Sequence, residues 1–215
     1  MEITYTDNIK YLAPTMVCRE TPEENLAVSQ AYEKRLTAFR PLMGAAKRYF
    51  PGGLHDSRVV ICKKDHKNLI FKLNDIGAAD FAYILAEKKK LTLPRETAFF
   101  LTIVFEEIRH LSYNTIDEYG KIHKTRFIKP DEYLYEEIVE WKNGDIQIVF
   151  ELWNCGSSYL LSVACKSARI IEEQYKGWQE CFGTECDRYF DAFMKARETR
   201  SLVNLEAGQL IDRLD

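Results

Sequence analysis

The chain is 215 residues long, with 30 basic and 33 acidic side chains and a net charge of −3. Hydrophobic residues make up 46% and charged residues 29%, the balance of an ordinary globular protein rather than a disordered one. Near-neutral charge gives no general electrostatic reason to expect nucleic acid or an anionic membrane as a partner. No apolar run reaches the roughly 18 residues that suggest a membrane span.

Residues 1–20 read as irregular, with a short strand around Ile3–Tyr5. Thr21-Pro22-Glu23-Glu24 is a helix start: Thr21 can cap, Pro22 suits the first helical position, and Glu24 can reach back to the cap amide. Val28, Tyr32, Leu36 and Phe39 follow at helical spacing. Pro41 should kink or restart the helix, and Pro51-Gly52-Gly53 should end it. The period then changes to two. Val59–Lys63 and Asn68–Leu73 read as a hairpin around the polar turn Lys64-Asp65-His66-Lys67.

Asp75–Leu91 carries Ala78, Phe81, Ala82, Leu85 and Ala86 and reads as a short helix between strands. Thr97–Tyr113 is rich in Phe, Ile, Val and Thr and reads as one long strand, with a buried helix as the alternative. A polar loop covers Asn114–Asp131. Tyr133–Trp141 and Ile146–Trp153 flank Asn143-Gly144, a pair that tolerates the positive φ angles of a tight hairpin turn. Tyr159–Ala168 follows a second turn at Asn154–Ser157. From Ile170 to Phe182 the pattern reads as helical, as do the segment after Thr184 and a last stretch at Glu206–Leu214.

The sum is an α+β chain: an antiparallel meander of about six strands with an N-terminal helix and C-terminal helices. It divides into a helical arm (1–53), a β-rich core (54–169) and C-terminal helices (170–215), expected to form one compact unit. The six cysteines (18, 62, 155, 165, 181 and 186) show no Cys-x-x-Cys pair, and Met1–Asp7 has no signal-peptide pattern. They are read as reduced thiols, and the location as cytoplasmic.

The segment Leu54-His55-Asp56-Ser57-Arg58-Val59 marks the change of period and carries the sharpest candidate chemistry. His55-Asp56 is the pair for which one class of metal phosphohydrolases is named. Those sites need an upstream histidine, and His55 is the first in the chain, so that class is excluded. Another metal site would draw on His66, His110 and His123 with Asp56, Glu106 or Glu107. Glu107-Ile108-Arg109-His110 has the Glu-x-x-His spacing of a di-iron site but no second copy. No nucleophile elbow or phosphate-binding glycine loop is present. A Cys155–His55 dyad stays open as a weak alternative.

The lysines at 63, 64 and 67 with His66, and those at 88–90, read as a solvated strand edge and helix end. Tyr133, Tyr135, Trp141, Phe150, Trp153 and Tyr159 read as cross-strand core pairs rather than a ligand cavity. Structurally, Leu54 can close the core beneath the helix, Asp56 can accept amides in the turn, and His55 can donate to a carbonyl or pair with a carboxylate.

At Leu54–Leu73 the chain resembles a set of uncharacterised bacterial domain-of-unknown-function proteins in which Leu-His-Asp opens a strand and hairpin. The likeness recurs in Tyr133–Ile138 with Ile146–Phe150. The resemblance brings no activity with it; some related small bacterial domains look like immunity proteins, which bind and block a toxin. Two functions follow as expectations. The first is a non-enzymatic protein-binding module of immunity-like kind, using a strand face or the Asn114–Asp131 loop, with Leu54, His55 and Asp56 as a structural corner. The alternative is a hydrolase or metal-assisted enzyme centred on His55 and Asp56. No cofactor or metal is assigned, nucleic acid and membrane are not expected as partners, and a protein partner and the oligomeric state stay open.

Overall fold

A computed structural model describes residues 22–42, 44–50, 53–93, 99–116, 122–142, 145–173, 176–198 and 207–212. Helix α1 (Pro22–Phe39) opens on its proline, where a missing N–H costs nothing. Around Pro41 it tightens into a 3-10 turn, Arg40–Leu42, and a second such turn covers Gly44–Arg48. The expected Thr21 cap and the strand near Ile3 lie outside the described residues.

Strands β1 (Ser57–Asp65) and β2 (Asn68–Asn74) form the first hairpin, and helix α2 (Ile76–Lys88) follows. Next come β3 (Phe100–Glu106), β4 (His110–Ile116) and the short β5 (Ile122–Lys124). β6 (Glu132–Lys142), β7 (Asp145–Asn154) and β8 (Ser157–Cys165) are joined by hairpins, and β9 (Ser167–Glu173) continues from β8. Helices α3 (Lys176–Phe182), α4 (Cys186–Glu198) and α5 (Ala207–Asp212) complete the described chain.

The sheet is antiparallel in the order β5-β4-β8-β7-β6-β1-β2-β3-β9. Only Glu107–Arg109 separates β3 from β4, and only Lys166 separates β8 from β9. The Arg109 amide donates to the Ala164 carbonyl at 2.8 Å, and the Lys166 amide to the Glu106 carbonyl at 3.1 Å. One long bent strand therefore pairs with another, through β4–β8 at one end and β3–β9 at the other. Since β8 leads through β7, β6, β1, β2 and β3 to β9, its own continuation, the ladder runs round to where it began and closes as a barrel, with β5 added outside β4.

Alternate residues of β2, β3 and β7 fill the interior. Ile146, Ile148, Phe150 and Leu152 of β7 face Leu69, Phe71 and Leu73 of β2 and Leu101, Ile103 and Phe105 of β3 in one buried cluster. Phe150 is its hub, with the rings of Phe50, Phe71, Phe105 and Tyr133 at centroid distances of 5.5–6.5 Å. The same cluster runs into the helices, where Phe81 meets Phe193 at 4.9 Å and Phe99 meets Phe190 at 5.0 Å.

Asp75 joins the two layers. Its carboxylate accepts from the Ala78 amide at 3.2 Å, capping α2, and its own amide donates to the Phe99 carbonyl at 2.8 Å. Arg197 of α4 grips the same carboxylate with both nitrogens, at 2.5 and 2.9 Å, and both side chains are buried.

Four expectations are corrected. Among the described residues nine strands replace about six, partly because the single strand read over Thr97–Tyr113 breaks at Glu107, whose backbone adopts φ 51. The Asn114–Asp131 segment, read wholly as loop, contributes the end of β4 and all of β5. The helix read from Ile170 is strand as far as Glu173, because Ile170 and Ile171 pair with Ile103 and Thr102 and the ladder outweighs local helical spacing. Nor is the order a plain meander, since β1 neighbours β6.

Arg197→Met leaves the buried Asp75 carboxylate uncompensated and is expected to cost about 3–5 kcal/mol in urea unfolding. Gly77→Ala should weaken the same joint, because an added Cβ would lie 2.9 Å from Arg197 Nη2. An Arg197→Met unfolding midpoint equal to that of the native chain would show that the pair does not hold the layers together.

Candidate functional site

The corner at Leu54–Asp56 is built by a tight turn. The Gly53 amide donates to the Tyr49 carbonyl at 3.1 Å, and a Cβ on Gly53 would stand 2.8 Å from that oxygen, so only glycine fits. The Ser57 amide donates to the Leu54 carbonyl at 3.0 Å, and Asp56 takes φ 61, a left-handed conformation that aspartate tolerates in turns. Leu54 is thereby buried, while the His55 and Asp56 side chains remain 38% and 59% exposed.

His55 Nδ1 lies 2.8 Å from Asp56 Oδ2, and the imidazole meets the Tyr135 ring edge-on at 4.4 Å. Tyr135 pairs across the sheet with Glu151, whose carboxylate accepts from the Ser158 hydroxyl at 3.2 Å. Burial, then the charges of Glu151 and Asp56, raise the Tyr135 hydroxyl pKa above its ordinary 10.0. A carboxylate-oriented histidine of this kind could accept a proton at its outer nitrogen.

The other candidates are not gathered around it. Strand order β4-β8-β7-β6 puts His110 three strands from Tyr135, and the register places it level with Glu140 instead. His110 Nε2 instead contacts Ser112 Oγ at 3.2 Å. His123 lies one strand further out, on β5, and His66 projects from the β1–β2 turn. Glu107 faces Lys166, and Glu106 accepts from Ser167 and Arg169. No cluster of three or more His, Cys, Asp or Glu among the described residues could hold a metal ion. Cys155 occupies the β7–β8 turn, exposed, with its thiol 3.9 Å from Asp131 Oδ2.

Three buried glutamates were not foreseen: Glu136, Glu137 and Glu151. Glu136 is paired with Phe150 and shares its inward face, where the Tyr133 hydroxyl donates to its Oε2 at 2.5 Å. The signal was present as Glu136-Glu137. Consecutive strand residues point to opposite faces, so in a strand with apolar residues on both sides one of the two must face the core.

A second surface lies between β5 and β6. The Thr125 amide donates to the Tyr113 carbonyl at 3.0 Å, the Tyr159 hydroxyl to the Ile128 carbonyl at 2.6 Å, and Asn154 Nδ2 to the Lys129 carbonyl at 2.6 Å. Asp131 closes the segment: its amide donates to Trp153 at 2.9 Å, and its carbonyl accepts from the Val59 amide at 2.8 Å. Pro130 is buried. On this pinned backbone Phe127 and Ile128 stay 45% and 41% exposed, with Phe127 edge-on to Tyr113 at 5.0 Å. Lys124, Arg126 and Lys129 flank them, all exposed.

No protein-family model matches the chain, and no curated protein matches it either.

Burial pushes the Cys62 thiol up from 9.0 to about 12. Burial, aided by Asp145 and Glu106, does the same at Cys165. Both thiols are therefore protonated in the native state at pH 8, and Cys155 should alkylate far faster than either, as read by peptide mass spectrometry. Because the folded values lie above the unfolded one, the stabilising contribution is complete below pH 9 and is lost as pH rises toward 12. Urea midpoints should fall across that window; rapid labelling of Cys62 at pH 8 would contradict the buried placement.

Proposed function

We propose that the chain is a non-enzymatic protein-binding module of immunity-like kind that docks through the loop at 125–131. One observation carries this reading: two neighbouring large apolar side chains, Phe127 and Ile128, are exposed on a backbone held at both ends by hydrogen bonds. Exposed apolar groups on a mobile loop pay an ordering cost on binding, and a pinned loop avoids most of it. An aromatic anchor inside a polar rim is the usual composition of an interface centre.

The same proposal places the chain beside the bacterial proteins in which Leu-His-Asp opens a strand, with Leu54–Asp56 as a structural corner. A cytoplasmic location fits the free thiols of Cys62, Cys155, Cys165 and Cys181. No described helix is long and apolar enough to cross a membrane.

The hydrolase reading has one observation in its favour, the 2.8 Å contact from His55 to Asp56. Among the described residues no serine or cysteine bonds to the outer nitrogen: Ser158 is bound to Glu151 and Cys155 faces Asp131.

Affinity capture from the source cells separates the two. The native chain and His55→Ala should retain the same partner, and Phe127→Ser with Ile128→Ser should lose it at least tenfold without a change in thermal midpoint. A partner lost with His55→Ala and kept by the loop variant would place the site at the corner instead.

A further inference from the structure

We infer that the partner of the 125–131 loop presents an acidic protein surface, with carboxylates surrounding an apolar pocket for Phe127 and Ile128. This rests on the docking reading above and adds the chemistry of what docks. Three cations, Lys124, Arg126 and Lys129, occur within six residues around the apolar pair, with no acidic residue between Lys124 and Asp131. Among the described residues none of the three forms an ion pair, whereas cations elsewhere on the surface do. Arg109 meets Asp145, Lys166 meets Glu107, Arg169 meets Glu106, and Lys72 meets Glu173.

The nearest carboxylate in sequence does not answer them. Asp131 accepts from Asn154 Nδ2 at 3.2 Å and lies beside the Cys155 thiol. In a chain of net charge −3, this leaves local positive charge gathered at an apolar apex. Such an arrangement steers an acidic surface into place and rejects basic ones.

The β1–β2 hairpin tip carries as many cations, Lys63, Lys64 and Lys67, with Asp65 among them, but no exposed large apolar side chain occupies the tip itself. It therefore offers charge without an anchor. Three cations neutralise only about three phosphates, a weak and strongly salt-dependent hold on nucleic acid. An anionic membrane would have to draw in a segment whose carbonyls are already bound by Tyr159 and Asn154, so only two side chains could enter it. A protein pocket matched to two side chains and three charges suits the geometry better.

The test uses the full chain and four probes. One is a synthetic amphipathic peptide with Glu and Asp on one face and Leu and Phe on the other. The second is its Gln/Asn counterpart, the third phosphatidylcholine vesicles containing phosphatidylserine, and the fourth a DNA duplex. Calorimetric titration should show saturable binding of the acidic peptide. That affinity should fall about tenfold for the Gln/Asn peptide, at raised salt, and in Lys124→Glu/Arg126→Glu/Lys129→Glu. Lys63→Glu/Lys64→Glu/Lys67→Glu should leave it unchanged.

If both peptides bind equally and only Phe127→Ser weakens them, the docking loop stands and the acidic partner is overturned. No binding of the acidic peptide, or tighter binding of vesicles or duplex, overturns it too.

Discussion

The buried pair between Asp75 and Arg197 is the interaction on which the two layers of this molecule depend. Asp75 stands where β2 ends, caps α2 through Ala78, and ties its own amide to Phe99 at the entry to β3. Arg197 reaches the same carboxylate from the end of α4, 122 residues later. Two charges removed from water are tolerated only when each is fully answered, and the bidentate geometry does that. The guanidinium also lies 4.6 Å from the centre of the Phe193 ring, so one side chain serves as charge partner and as packing. Gly77 leaves the space that Arg197 Nη2 occupies. With that joint in place, Phe81 meets Trp178 of α3 and Phe193 of α4, and Phe99 meets Phe190 of α4.

A second constraint is the short seam of the barrel. β1 and β6 share only the pairs Ser57 with Tyr133 and Arg58 with Glu132. Beyond them the seam is continued by other means. On one side the Val59 amide bonds to Asp131, at the foot of the 125–131 loop. On the other, the Tyr32 hydroxyl of α1 bonds to the Glu136 carbonyl at 3.3 Å and accepts from the Ile138 amide at 3.4 Å. Both candidate surfaces sit where the ladder stops: the His55–Asp56 corner before β1 and the Phe127–Ile128 loop before β6. Backbone released from pairing can turn outward and present side chains, while the barrel holds its ends in place.

Legibility in the sequence followed the range of the interaction responsible. The β7 alternation of Ile146, Ile148, Phe150 and Leu152 needs only a covered face, and it was readable. So were the helix start at Pro22 and the apolar residues that form the buried face of α2. Glu107 gave no local warning of a bend, because its positive φ is imposed by two long strands turning together. Ile170 and Ile171 carried helical spacing, yet β3 offered an unpaired edge, and pairing with it satisfied backbone groups that a short exposed helix would leave to water. At the corner, the motif was visible and its neighbour was not: Tyr135 lies 80 residues from His55 and meets it only through the seam.

Composition, period and turn chemistry by themselves determined the class of the chain: α+β, antiparallel, with helices before and after the sheet and a turn at Leu54–Asp56 that Gly53 leads into. These are properties of neighbouring residues, and the peptide geometry of a few positions is enough to set them. Tertiary structure alone decided that the sheet closes, that Asp75 finds Arg197, and that Glu136 points inward to Tyr133. It also decided which polar loop would be held firm enough to leave Phe127 and Ile128 facing water. Those outcomes turn on which distant groups can satisfy one another's charge, hydrogen bonds and apolar surface once the chain has folded back on itself.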